Sequence, residues 1–290
     1  LLTHLGTPNG KVDPQLSFQK LLPQISELLK EDIQLQSLEN YTPRTGITLL
    51  ENIRFYPGEE KNDPVFAQRL ASLADLYVND AFSVSHRSHA SIVGIIEHLP
   101  SFAGFALERE VKSLSTVFTS PPRPVTVLIG GKKVSDKIGV IKHLLPKVDH
   151  ILIGGACATT FAAAQGTDMK QSFIEKEMFA TCLDLLSHVQ VNKIHLPIDF
   201  VEADNAYLDI GPKTISNFSK VIQASKVVVW AGPMGKYEDL RFNKGNEAIL
   251  KAIVATKAKS IIGGGDTLAA LQSFPEFEQV SFVSLGGGAM

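Results

Sequence analysis

Five glycine clusters each follow a short apolar run, and this recurrence is the first sign of chemistry in the chain. Ile129 precedes Gly130-Gly131-Lys132-Lys133, and Ile153 precedes Gly154-Gly155. Trp230 precedes Ala231-Gly232-Pro233-Met234-Gly235, and Ile262 precedes Gly263-Gly264-Gly265-Asp266-Thr267. Leu285 precedes Gly286-Gly287-Gly288. Glycine lets backbone N–H groups come close to an anion, and a helix N-terminus adds a favourable dipole. One such cluster is ordinarily a tight turn. Five at strand ends predict a site for a nucleotide or another phosphorylated ligand.

Charged side chains sit beside these glycines. Lys133 and Lys137 are four residues apart across a loop and a helix start, so both can point to the same side. Two ammonium groups there can hold phosphate oxygens and offset the charge that builds during phosphoryl transfer, although most lysines are simply solvated. Asp266 has two readings, a helix N-cap or a ligand to phosphate-bound Mg²⁺, which takes few protein carboxylates. Glu238 follows the glycine loop at 232–235 and is a candidate for ribose hydroxyls.

A second set of residues is basic. His4 and Arg54 follow expected strands at 1–4 and 47–51, and His86, Arg87 and His89 follow another at 76–79. Singly these are ordinary surface charges. Together they predict an anion pocket, since Arg suits bidentate carboxylate and phosphate recognition. No activated nucleophile or zinc pattern accompanies them, so direct transfer between two bound ligands is the expected chemistry.

These residues need strands to hold them. Strands are expected at 125–129, 150–153, 193–201, 226–230, 260–262 and 281–285. Several are continuous aliphatic runs, as strands buried on both faces are. Helices are expected between them at 135–145, 157–165, 175–189, 214–224, 243–256 and 267–272. This alternation predicts an α/β fold with doubly wound, Rossmann-like parallel sheets in three α/β/α layers. The first hundred residues repeat it more weakly, with helices at 13–30 and 64–73. A helix at 105–118 is followed by Pro121-Pro122-Arg123-Pro124, which punctuates a boundary. The expected division is a first domain at 1–103, a connecting helix at 104–118 and a second domain at 119–290.

Composition agrees with this reading. The chain has 290 residues, 44% hydrophobic and 20% charged, with net charge −2, so any anion site must be a local cluster. Cys157 and Cys182 form no disulfide framework, which favours a reducing compartment. No run reaches the roughly 18 apolar residues of a membrane span. Both ends of the sequence read as cuts through structure.

Read as strings, the loops resemble the phosphoglycerate kinase family across the whole chain. Residues 48–61 read Thr-Leu-Leu-Glu-Asn-Ile-Arg-Phe-Tyr-Pro-Gly-Glu-Glu-Lys. Residues 77–91 read Tyr-Val-Asn-Asp-Ala-Phe-Ser-Val-Ser-His-Arg-Ser-His-Ala-Ser. Residues 130–139 read Gly-Gly-Lys-Lys-Val-Ser-Asp-Lys-Ile-Gly, and 209–214 read Asp-Ile-Gly-Pro-Lys-Thr. The loops at 230–235 and 263–267 complete the set. The resemblance implies a first domain that binds phosphoglycerate, a second that binds Mg-ADP or Mg-ATP, and closure about the connecting helix. It implies transfer between 1,3-bisphosphoglycerate and ADP in a cytoplasmic protein, a monomer without nucleic-acid or membrane partners. Carried over by motif, His4, Arg54 and Arg87 belong to the phosphoglycerate site, and Lys133 and Lys137 to the nucleotide phosphates and to catalysis. Gly130, Gly131, Gly232, Pro233, Gly263, Gly264, Gly265 and Thr267 belong to the nucleotide loops, Glu238 to the ribose, and Asp266 to the metal.

Some positions depart from the family pattern. Thr7 stands where a substrate-binding arginine is usual, Ala231 where an asparagine is, and Ala156 where a third glycine is. Leu285 and Met290 replace hydroxyl residues. Two rival readings therefore stand beside the working kinase. One is a degenerate relative that keeps only binding, and the other is an unrelated nucleotide-binding protein such as a dehydrogenase. The absence of a helix-opening Gly-x-Gly-x-x-Gly counts against the last.

Overall fold

Proline decides where the helices of the first hundred residues begin. A computed structural model describes residues 1–187 and 191–290. The expected helix at 13–30 is broken. Asp13 and Ser17 each accept a backbone N–H two residues on, which pulls the chain into two short 3₁₀ turns. Only Leu22–Leu29 forms a helix (α1), with proline in its first turn and Lys30 in the left-handed conformation closing it. Pro57–Glu60 (α2) and Pro64–Ala71 (α3) also open on proline, and Asp63 caps α3 by accepting from the Phe66 N–H at 2.8 Å.

Between α1 and α2, strands Ile33–Gln36 (β1) and Ile47–Leu50 (β2) pair in parallel. No regular strand forms over residues 1–4. The chain there still runs along β2: the Leu50 N–H donates to the Leu1 carbonyl at 2.9 Å and the Ile53 N–H to the Thr3 carbonyl at 3.2 Å. A second parallel pair, Tyr77–Asn79 (β3) and Ser101–Ala103 (β4), follows α3. Its cross-strand neighbours Val78 and Phe102 are 51% and 60% exposed. Neither β1 nor β4 was expected from the sequence.

The helix Phe105–Phe118 (α4) comes next, held at its start by Asp80, whose carboxylate accepts the Leu107 N–H. The chain divides within it into two units, Leu1–Glu108 and Arg109–Met290. The second unit continues as Val125–Ile129 (β5), Ile138–Leu144 (α5), His150–Ile153 (β6), Gly155–Ala164 (α6), Phe179–Ser187 (α7) and Ile194–His195 (β7). Phe200–Ala203 (β8), Ala206–Ile210 (β9), Pro212–Ala224 (α8), Val227–Ala231 (β10) and Lys244–Val254 (α9) follow. Lys259–Gly263 (β11), Gly265–Leu271 (α10) and Phe282–Ser284 (β12) end the unit. The expected strand at 193–201 splits, because Pro197 cannot donate to a ladder. Its second half joins β9 in a separate antiparallel hairpin. The expected helix at 175–189 starts as a 3₁₀ turn, and its end at Val189 lies outside the described residues.

The sheet of the second unit is all parallel, in the order β12-β11-β10-β5-β6-β7. Leu128, Leu152, Val228, Trp230 and Ile262 face α8, α9 and α10. Their strand neighbours Val127, Ile151, Val229 and Ile261 point the other way and are buried as well, so both faces are covered. The chain moves outward one way from β5 and the other way from β10. The switch point therefore lies between these two strands, and ligands bind beyond the carboxyl ends at such a point.

Candidate functional site

At the switch point the glycines serve a purpose the sequence reading did not anticipate. Ala231 pairs with Ile129 in the register of β10 and β5, so the loops after these strands cross at once. A Cβ on Gly130 would sit 2.2 Å from the Pro233 carbonyl oxygen, and one on Gly232 would sit 2.2 Å from the Gly130 carbonyl oxygen. Gly232 also holds φ +94°. No side chain fits either position. The amides are spent within the protein. Gly130 N–H donates to Ala231, Gly131 to Pro233, Gly154 to Ile129 and Gly155 to Met234, at 2.9 to 3.0 Å. Gly232 N–H donates to the Thr267 hydroxyl at 2.7 Å. These five amides are committed to partners within the protein, where they stitch three loops together.

The stitched loops wall a cavity of about 300 Å³. Gly131, Ala156, Pro233, Glu238 and Asp266 line it. Phe173, Phe200, Tyr207 and Tyr237 supply aromatic surface that no glycine pattern announces. Asp266 is not the N-cap of α10. Gly264 takes that position with φ +97°, and Asp266 sits in the first turn, accepting from the Tyr237 hydroxyl at 3.3 Å. Its carboxylate thus stands at the cavity with acceptor capacity left. Lys132, over the Phe173 ring at 5.0 Å, lines the cavity, whereas Lys133 and Lys137 lie outside its wall. Gly263 and Gly265 are also outside it, and Met290 packs its sulfur where a Gly263 Cβ would be. Leu285 points to solvent at 73% exposure.

The buried support was missed in the sequence. Asp209, 3% exposed, accepts the N–H of Ile210 and of Gly245, both at 2.8 Å. Burial pushes its carboxyl up to about 6. Asp209 was visible in the Asp-Ile-Gly-Pro-Lys-Thr string but carried no role. Asn246 is fully buried and accepts the Met234 N–H at 2.7 Å.

In the first unit a larger cavity of about 640 Å³ takes in His4, Arg54, Glu59 and His89. Asn52 builds the strand-end turn that delivers Arg54. Its amide donates to the Leu5 and Leu16 carbonyls, and its oxygen accepts the Arg54 N–H. Arg54 is itself buried, donating to the Gly6 carbonyl at 3.0 Å and pairing with Glu60 at 3.6 Å. Burial, then the charges of Arg54, Arg87 and His89, hold the His4 imidazole below its ordinary range. Arg87 is exposed and outside the cavity wall, close enough to act on His4 through its field. Glu59 was not foreseen. It accepts both the N–H and the hydroxyl of Ser91 and faces His89 at 3.6 Å, and burial raises its pKa. Thr7 is exposed.

Comparison with known proteins matches the chain to one family. The sequence model of phosphoglycerate kinase covers residues 1–290. A phosphoglycerate kinase of Finegoldia magna is 41% identical over all of this chain and 81% of its own length. One of Desulforudis audaxviator is 40% identical with the same coverage. Among solved structures, the phosphoglycerate kinase of Coxiella burnetii superposes with TM-score 0.84 at 34% identity, over 99% of this chain and 80% of the other. That of Pyrococcus horikoshii does so with TM-score 0.85 at 27% identity, over 99% and 81%.

Proposed function

Since the chain belongs to the phosphoglycerate kinase family, we propose a division of labour between its two units. The reaction itself is the family's: reversible phosphoryl transfer from 1,3-bisphosphoglycerate to ADP, giving 3-phosphoglycerate and ATP in glycolysis. The nucleotide is assigned to the second unit, Arg109–Met290, and the phosphoglycerate to the first, Leu1–Glu108. The observation that carries this is the pre-built cavity at the switch point, with Glu238 and Asp266 on its wall.

Arg54 and Arg87, with His4, hold the carboxylate and phosphate of the phosphoglycerate. The buried guanidinium of Arg54, fixed by Gly6 and Glu60, presents a set geometry rather than a mobile charge. Lys133 and Lys137 attend the nucleotide phosphates and offset charge as the phosphoryl group moves. Glu238 accepts from ribose hydroxyls. Asp266 suits Mg²⁺, offering one hard oxygen ligand beside room for phosphate and water. Mg²⁺ bound there would neutralise phosphate charge. No covalent enzyme intermediate is required, and positioning carries most of the catalysis. A cytoplasmic location fits the two unpaired, buried thiols of Cys157 and Cys182.

Calorimetric titration with Mg-ADP, for the parent protein and Lys133→Ala, tests the assignment. Binding by the parent that weakens about tenfold in the variant is expected. Equal affinities would remove Lys133 from the site.

A further inference from the structure

Beneath the loop at 232–236 lies a set of buried polar side chains, Asn243, Asn246 and Asp209, the last of which also reaches the cavity wall. Asn246 is 0% exposed, in the first turn of α9. Its oxygen accepts the Met234 N–H at 2.7 Å, and its amide donates to the Asn243 oxygen at 2.7 Å. The Asn243 amide donates in turn to the Ala270 carbonyl of α10 at 3.0 Å. Asp209 holds the same end of α9 from the other side, through the Gly245 N–H at 2.8 Å. A Cβ at Gly235 or Gly245 would fall 2.3 or 2.2 Å from its Oδ1, so both backbones close directly on this carboxylate.

We infer that Asn246, seconded by Asp209, is a positioning residue for the nucleotide site: it sets the height of the 232–236 loop relative to α10, and so the spacing between Pro233, Glu238 and Asp266. This rests on the nucleotide reading given above. The geometric reason is that the two sides of the cavity come from different elements. The loop after β10 brings Pro233 and Glu238, and α10 brings Asp266. Three side-chain links join these walls: the Thr267 hydroxyl on Gly232 N–H, the Tyr237 hydroxyl on the Asp266 carboxylate at 3.3 Å, and the buried Met234–Asn246–Asn243–Ala270 relay. An unpaired Met234 N–H would be a buried donor left without a partner, and the loop would shift to satisfy it. Since small displacements of positioning groups cost affinity steeply, the effect should fall on the nucleotide.

The test compares the parent with Asn246→Ala, Asn246→Asp and Thr126→Val. Asn246→Asp keeps an acceptor for Met234. Thr126→Val removes an equally buried hydroxyl, paired with Ser225 at 2.7 Å near the amino end of β5, away from the cavity. Mg-ADP affinity by calorimetry, KM for each substrate, kcat and Tm are measured for all four. The expected result is a KM and Kd for ADP raised about tenfold in Asn246→Ala, the size of one lost buried hydrogen bond. Asn246→Asp keeps Met234 paired but sets a carboxylate oxygen against the Asn243 oxygen and breaks the relay, so it should lose ADP affinity as well. KM for 3-phosphoglycerate should be unchanged, and Thr126→Val destabilised but of parental ADP affinity. ADP affinity unchanged in Asn246→Ala, with only Tm lowered, overturns the inference while leaving the nucleotide site standing. A folded parent that does not bind Mg-ADP overturns both.

Discussion

Single residues in this protein are tuned chiefly by burial. Asp209 titrates near 6 when folded, against 3.8 for the ordinary side chain, because its carboxylate is buried without a cation. Between these values the folded state holds a proton that the unfolded state has released, so stability falls as pH rises from about 4 to 6. The difference corresponds to roughly 3 kcal/mol. Asp209→Asn should flatten that part of the stability–pH curve in denaturant titrations; an unchanged slope would mean that another group carries it. Arg54→Lys tests the other unit. The charge stays but the fork toward Gly6 and Glu60 is lost, so KM for 3-phosphoglycerate should rise at least about tenfold with ADP affinity unchanged. Arg54 was legible because it follows a strand. Asn246 was not, because a polar residue inside an amphipathic helix reads as surface until the fold shows what lies above it.

Elements were legible in proportion to how deeply they are buried. β5, β6 and β10 are aliphatic on both faces, and that alone marks a central parallel strand. β9 mixes polar and apolar residues and was missed, although Asp204 and Asn205, with φ 51° and 58°, form the turn a tight hairpin requires. That signal was present and went unread. The glycine clusters were found, but their physical reason lay in register, which a single sequence does not display. Two substitutions separate the alternatives. Gly232→Ala puts a methyl against a backbone carbonyl at positive φ and should cost at least about 3 kcal/mol or prevent folding. Gly139→Ala, in α5 with nothing within 4 Å of its Cβ, should stabilise by about 0.5–1 kcal/mol, raising Tm by a few degrees. A glycine edge that matters only as flexible loop would tolerate both.

At the scale of the whole molecule, the two units differ in how much structure they bring. The second has a six-stranded sheet buried on both faces, while the first has two separate strand pairs, one of them with Val78 and Phe102 exposed. Hydrogen exchange should therefore be faster in residues 1–108. Saturating Mg-ADP, at about 100 times Kd, should add roughly 2.7 kcal/mol of protection confined to the second unit. Uniform protection across both units would contradict the assignment of the nucleotide to one of them. The stitched amides at the switch point bear on the thermodynamics of that binding. Loops whose N–H groups are already committed to one another have little freedom left to surrender when the nucleotide arrives. Association should then be fast and carry only a small entropic penalty, with the heat-capacity change set by apolar surface covered in the cavity rather than by ordering of the chain.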